Sequence, residues 1–370
     1  MQTGHGCKLP GSPRSTLVRI ATASALFLAS LGILGAANPP ACDPGNGGIQ
    51  LPAGFCALVV ADGLGPARHM AVAPNGDLYV ALQADGAQGG VVALRDTNGD
   101  GRYEVKEKIG QDSVTGVALR NGYLYLAKFN SVERFKMTPG QLKPSGQPEI
   151  VVSGLPGVEE HGDKGIAFDG KGNFYVNVGA PSNACQPKNR QPKIPGQDPC
   201  ELLEKHGGIW KFSENRLGQK QEDGVRVATG LRQMPAIAWH DGLYIVMNNR
   251  DQLDVLWPGL FTAKENAERP AEPMYKVESG MNFGWPYCFF DYEQKKLFLA
   301  PEYGGDGKKT GRCSQFTLPV ASFPAHWAPV DLMFCWPQFL PALPQQGLHL
   351  HGSWNRAPLP QEGHNDVRPS

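Results

Sequence analysis

An excess of charge of either sign is missing. The 35 Lys and Arg residues balance 35 Asp and Glu, and the formal net charge is +0. No Lys/Arg run, basic stripe or zinc-finger spacing occurs, so nothing in the chain points to a nucleic-acid partner. Long apolar helical periodicity is also absent after about residue 40. No C-x-x-C-H occurs, which excludes an attached c-type haem, and the paired Cys-x-x-Cys spacing of metal sites is missing too.

What is present is turn chemistry. Gly 46 and Pro 32 in 370 residues suit many short strands joined by turns. One phrase recurs: AVAPNGDLYVAL from Ala71, GVALRNGYLYLAKF from Gly116, GIAFDGKGNFYVNV from Gly165 and AIAWHDGLYIVM from Ala236. Asn-Gly, Asp-Gly and Lys-Gly between alternating apolar runs are hairpin signals, because these residues tolerate positive φ. The first three hairpins lie about 46 to 50 residues apart, the period of a four-stranded propeller blade. The expected fold is therefore all-β, a propeller with loops converging on a central channel. Residues 38–60 read as a linker and first strand, and 61–370 as the propeller domain. Blade-like units span about 61–110, 111–150, 151–225 and 226–290, and a fifth strand set starts near Val330. The third unit carries a long Pro-rich polar insertion, SNACQPKNRQPKIPGQDPCELLEKHGG, and loops of that length are often functional.

Residues 1–37 read as a signal peptide. Lys8, Arg14 and Arg19 precede an apolar stretch from Ile20 to Ala36, followed by small residues. That stretch of about 17 residues also sits near the lower limit for an uncleaved membrane anchor. Export to the periplasm or beyond implies an oxidising compartment, so local disulfides are expected. The close pairs are Cys42 with Cys56, Cys185 with Cys200, and Cys288 with Cys313; Cys7 leaves with the signal and Cys335 is left over.

DTNGDGRYEVKE fits the twelve-residue calcium loop. Asp96, Asn98 and Asp100 would supply side-chain oxygens, Arg102 its carbonyl and Glu107 two oxygens, with Gly101 at the sharp turn. An acidic turn without an ion reads equally simply. His161, in VEEHGDKGIAFD, stands just before the third hairpin, where strand starts face the channel. A histidine there can serve as general base, or be an ordinary turn histidine. Glu159, Glu160 and Asp163 beside it could raise its pKa. Arg232 holds the matching position before the fourth hairpin, Arg250 and Asp251 follow that hairpin, and Arg356 follows the fifth. Guanidinium forks at equivalent rims make an anion-binding ring, unless each pairs with a nearby acid. Trp285 and Trp354 could stack on a flat cofactor or serve as core packing.

The combined run ATGLRQ, RDQL, GMNFGWPYCFFD, APEYGGDG, FPAHWAP and HGSWNRAPLPQ, with VEEHGDKGIAFD, GAPSNAC, PGQDPCE and GGIWKF before it, resembles the glucose/sorbosone dehydrogenase family. The likeness is strongest to its sorbosone dehydrogenase-like branch and covers roughly residues 50 to 361. It implies a six-bladed β-propeller that uses pyrroloquinoline quinone (PQQ) and calcium to oxidise an aldose or sugar aldehyde in the periplasm. It further implies His161 as general base, and Arg232, Gln233, Trp285 and Arg356 around the quinone. Gln233 stands where Asn is usual. The NNRDQL loop, with Asn249 in place of a common Gly and Arg250 beside it, would hold the cofactor's calcium through its carbonyls. The resemblance implies a further strand set after Gln361, where this sequence leaves the pattern, so the propeller is expected to lack its last blade. A separate electron acceptor is implied, since no haem motif is present. Two other classes fit a propeller: a calcium-dependent lactonase-like hydrolase, and a non-catalytic or degenerate binding propeller.

Overall fold

A computed structural model describes residues 40–158, 160–334 and, as backbone, 348–352. The first sheet runs β1 (Ala67–Val72), β2 (Leu78–Leu82), β3 (Gly90–Arg95), β4 (Val105–Ile109), each antiparallel to the next. The second runs β5 (Gly116–Arg120), β6 (Tyr123–Ala127), β7 (Val132–Lys136), β8 (Glu149–Ser153). The third holds β9 (Ile166–Phe168), β10 (Asn173–Val178) and β11 (Gly208–Ser213); the short β12 (Gln219–Lys220) leaves it to pair in parallel with β8, and β13 (Val225–Thr229) completes it. The fourth begins with β14 (Gln233–Trp239), β15 (Leu243–Asn248) and β16 (Glu272–Val277). Between β15 and β16 lie two short helices, α1 (Leu253–Leu256) and α2 (Ala263–Glu268). The short β17 (Met281–Asn282) then pairs back onto β13, and β18 (Cys288–Asp291) with β19 (Lys296–Leu299) forms a hairpin of its own. Strand β20 (Ala321–Phe323) closes the fourth sheet, and β21 (Pro329–Phe334) with β22 (Leu348–Gly352) opens a fifth.

All four repeated phrases form the first hairpin of a sheet. The local cause is clearest at Asn121 and Gly122, with φ of 49° and 76° between the paired Arg120 and Tyr123. Two successive positive φ values make the tight turn whose twist matches the strands. The hydrophobic core lies between sheets. Tyr79, Val91 and Leu124 fill the space between the first and second, and Tyr125, Phe174 and Trp210 that between the second and third. Ile209, Ile245 and Tyr275 fill the next, and Ala236, Met274 and Leu332 join the fourth to β21. The fold is an all-β propeller, with four complete blades and the start of a fifth among the described residues. The signal segment, Cys7, Glu159, Cys335, Trp354, Arg356 and the tail after Gln361 lie outside those residues.

Three disulfides are present: Cys42–Cys56, Cys185–Cys200 and Cys288–Cys313. They bear out the pairing expected from the sequence and suit an oxidising compartment. No helix among the described residues is long and apolar enough to cross a membrane.

Candidate active site

The alternation of strand direction puts the β8–β9, β10–β11, β13–β14 and β15–β16 connections at one end of the propeller. Each supplies part of one polar cluster. His161 comes from the first of these. It is 9% exposed and adopts a left-handed backbone, φ 61°. Its Nδ1 lies 2.5 Å from the Ala180 carbonyl at the end of β10. A carbonyl only accepts, so Nδ1 carries the proton and Nε2 keeps its lone pair. Among the described residues, Nε2 has no hydrogen-bond partner. Burial, then the nearby Arg232 charge, hold the ring well below its ordinary pKa of 6.5. The neighbouring acids were expected to act the other way. Of these acids, Glu160 is engaged by Arg190, Asp163 accepts from Arg68 at 2.6 Å and Gln83 at 2.8 Å, and Glu159 lies outside the described residues.

Arg232 lies at the start of the fourth blade and is 3% exposed. One terminal nitrogen donates to the Asn249 carbonyl at 2.9 Å and the Asn248 carbonyl at 3.4 Å. The other donates to Asp251 at 3.2 Å. Its Nε is buried and has no partner. Asp251 also accepts from Arg190 at 2.5 Å. Burial opposes ionisation of Asp251, but Arg232, Arg190 and Arg250 together hold its carboxyl well below the usual range. Asn183 completes the ring: its side chain donates to the Asp251 carbonyl at 3.0 Å and accepts from the Asp251 N–H at 3.3 Å. Next to the cluster, Glu272 accepts from the Asn249 N–H at 2.8 Å and the His326 N–H at 3.1 Å, and burial pushes its carboxyl up to about 8.

The structure thus brings His161 and Arg232 together and places the other expected residues around them in different ways. Gln233 lies 3.5 Å from the Asn248 amide, whose Oδ1 is buried without a partner. Asn249 turns its side chain away, donating to the Ala271 and Phe290 carbonyls. Arg250 makes a two-pronged pair with buried Glu302, which also accepts from Trp257 at 2.9 Å. Trp285 is 2% exposed, packs with Ala180, Cys185 and Cys200, and donates to the Asn183 carbonyl at 2.9 Å. It therefore supports the floor of the site through Asn183.

The Asp96 loop lies apart, in the β3–β4 connection. The Asp96 carboxylate accepts from the N–H groups of Gly99 at 2.7 Å and Gly101 at 2.8 Å. Asn98 and Asp100 likewise cap the N–H groups two residues on, at 2.8 Å each, the second of these being that of Arg102. Glu107 stands on β4 opposite Ala93, while Glu104 reaches back to the Thr97 N–H at 2.9 Å. Among the described residues, no three His, Cys, Asp or Glu side chains gather in a metal-holding group.

Sequence reasoning missed Arg190 and Asn183 as members of the site. The one available signal was the long insertion that carries both. Glu272 and Glu302 gave no signal, since an acid within a strand or a single helical turn looks solvent-facing until the fold buries it.

A propeller with a histidine–arginine cluster at its loop end defines the class, and comparison with known proteins sharpens it. The TrAA12-like family model matches residues 49–365. The chain belongs to the TrAA12-like family, which bears out the resemblance to sugar dehydrogenases read from the sequence. A calcium structure of a Trichoderma reesei carbohydrate-active enzyme of family AA12 superposes with a TM-score of 0.60 at 16% identity, covering 75% of this chain and 72% of that one. The holo PQQ domain of a pyranose dehydrogenase from Coprinopsis cinerea gives 0.61 at 18%, covering 81% and 74%. The apo soluble aldose sugar dehydrogenase from Escherichia coli gives 0.52 at 15%, covering 80% and 82%. At these identities the superpositions speak for the fold. No curated protein sequence matches the chain.

Proposed function

We propose that the protein is a PQQ-dependent dehydrogenase that oxidises an aldose or a sugar aldehyde of the sorbosone type, on a propeller of the six-bladed kind. The observation that carries this reading is the His161–Arg232 pair: a buried imidazole with Nε2 bare, next to a buried guanidinium with one N–H unused. An orphaned buried donor costs about 1–3 kcal/mol unless a ligand satisfies it. A carboxylate or quinone oxygen is the acceptor to which a guanidinium edge donates best, so the residues present fit a tricarboxylated quinone. Family membership and the sugar dehydrogenases among the structural neighbours support the same assignment.

The chemistry that the quinone supplies when bound is two-electron acceptance. The protein's own part starts with His161. Its Nε2 takes the proton of the C1 hydroxyl of the aldose, or of the hydrated aldehyde, as the C1 hydrogen leaves with its electron pair. Ala180 keeps the ring in the tautomer that can do this, and Arg232 discourages prior protonation. Arg232 in turn is aimed by Asp251 and the Asn248 and Asn249 carbonyls. Those carbonyls, expected to hold calcium, are taken up by the guanidinium, so the donor set suits an anion better than a cation and no step is assigned to calcium. A separate acceptor must draw the electrons onward.

The test is a titration of the mature chain with PQQ, followed by tryptophan fluorescence. Wild type should show saturable quenching. Arg232→Ala should bind about 10- to 100-fold more weakly, the loss of one charged hydrogen bond of about 1.5–3 kcal/mol. Equal binding by the two would contradict the assignment.

A further inference from the structure

Lys164 is fully buried, 0% exposed, and no carboxylate pairs with it among the described residues. Its ammonium donates instead to two main-chain carbonyls, Gly162 at 2.6 Å and Pro156 at 3.3 Å. These carbonyls bracket the segment that carries His161. The lysine backbone is fixed independently: its N–H donates to Thr115 Oγ1 at 2.9 Å, and that hydroxyl lies 3.3 Å from the Lys164 carbonyl. Thr115 stands at the mouth of the second blade. Asp163, the adjacent acid, is turned toward Arg68 and Gln83 of the first blade.

We propose that Lys164 is a positioning residue for His161: its buried ammonium ties the Pro156 and Gly162 carbonyls together and so keeps the imidazole in its left-handed, Nδ1-protonated pose. An unpaired buried cation is expensive, and a lysine at this position could have been an apolar residue of the same length at lower cost. The two carbonyls are what it stabilises in return. A left-handed non-glycine residue costs about 1–3 kcal/mol and persists only where its surroundings over-determine it. Here the surroundings are the Ala180 carbonyl on the ring, the Arg190 grip on Glu160, and the Lys164 clamp on the main chain. Burial brings the ammonium down to about 8, in keeping with a site closed to water. The catalytic consequence rests on the dehydrogenase reading; the conformational one does not.

The full chain, without added quinone, is labelled with nitrogen-15 histidine, and the His161 ring signals are identified by their loss in His161→Gln. Wild type should show a ring with Nδ1 protonated and Nε2 bare that does not titrate near 6.5. Lys164→Met should stay folded with a similar melting temperature, yet its His161 ring should average between tautomers and titrate toward 6.5. In the PQQ-loaded protein the same variant should lose about 100-fold in kcat with KM changed less than about twofold, as expected for a base displaced by about 1 Å. A folded Lys164→Met protein with unaltered His161 signals would overturn the proposal. If that variant does not fold, lysine-labelled wild type decides: one ammonium shielded from solvent exchange supports the clamp, and none overturns it. Because the ring signals need no turnover, a chain that oxidises no sugar but shows the tautomer change would sink the dehydrogenase reading and leave the clamp standing.

Discussion

Burial and the Arg232 charge hold the His161 imidazole well below 6.5, and this has consequences for both stability and rate. In the unfolded chain the ring takes a proton near its ordinary value, while in the folded chain it resists one. Below about 6.5 the unfolded state therefore binds more protons, and stability falls on acidification. His161→Gln removes that contribution, so its melting temperature should fall less than that of wild type between pH 6.5 and the folded-state pKa. For the reaction, the bare Nε2 should persist into acid, and the acid limb of kcat/KM should lie below 6.5. A limb at or above 6.5 in a pH–rate profile would mean that another group titrates. His161→Gln should lower kcat by about 10²- to 10⁴-fold, the usual worth of a positioned general base, while PQQ quenching stays intact.

At the scale of elements, the site depends on loops held by close contacts. A Cβ on Gly179 would sit 2.1 Å from the His161 carbonyl and 2.9 Å from its Cβ. Gly179→Ala should therefore displace His161 and reduce kcat sharply, as read in a steady-state assay. The insertion after β10 brings Asn183 and Arg190, and the Cys185–Cys200 bridge closes it at a separation of 15 residues. Replacing both cysteines by Ala should cost about 3 kcal/mol by loop entropy and weaken PQQ binding, read by thermal melting and quenching. These elements show what the sequence could and could not reveal. Hairpins were legible because Asn-Gly and Asp-Gly turns between alternating runs are local signals. The three disulfides were legible because each closes a short loop between cysteines that are neighbours in the sequence. His161 and Arg232 stood out by their matching positions before hairpins. Arg190 did not, because its partners Glu160 and Asp251 lie 30 and 61 residues away. Nor could Arg250 be told from Arg232 in advance; only the fold shows Arg250 spent on Glu302.

At the scale of the molecule, stability comes from the seams between blades. The three largest core clusters each draw on two neighbouring sheets, and two short parallel pairings, β8 with β12 and β13 with β17, fasten one unit to the next. Gln219 anchors the first. Its buried amide donates to the Ser213 and Arg216 carbonyls at 2.9 and 2.8 Å and accepts from the Ser213 N–H at 3.1 Å. Gln219→Ala leaves those groups unpaired and should destabilise the fold by about 1–3 kcal/mol, seen as a lower denaturant midpoint without loss of PQQ affinity. The blade repeat itself was readable from turn spacing, whereas the seam strands β12 and β17, two residues each, carry no pattern of their own.

Dye reduction by the purified chain, with aldoses and sugar aldehydes, as a function of added PQQ tests the central claim most directly. The account predicts substrate-dependent reduction that saturates with PQQ in wild type and nearly disappears in His161→Gln. A folded wild-type chain that reduces no dye at saturating PQQ, or a His161→Gln chain that turns over as fast as wild type, would contradict it.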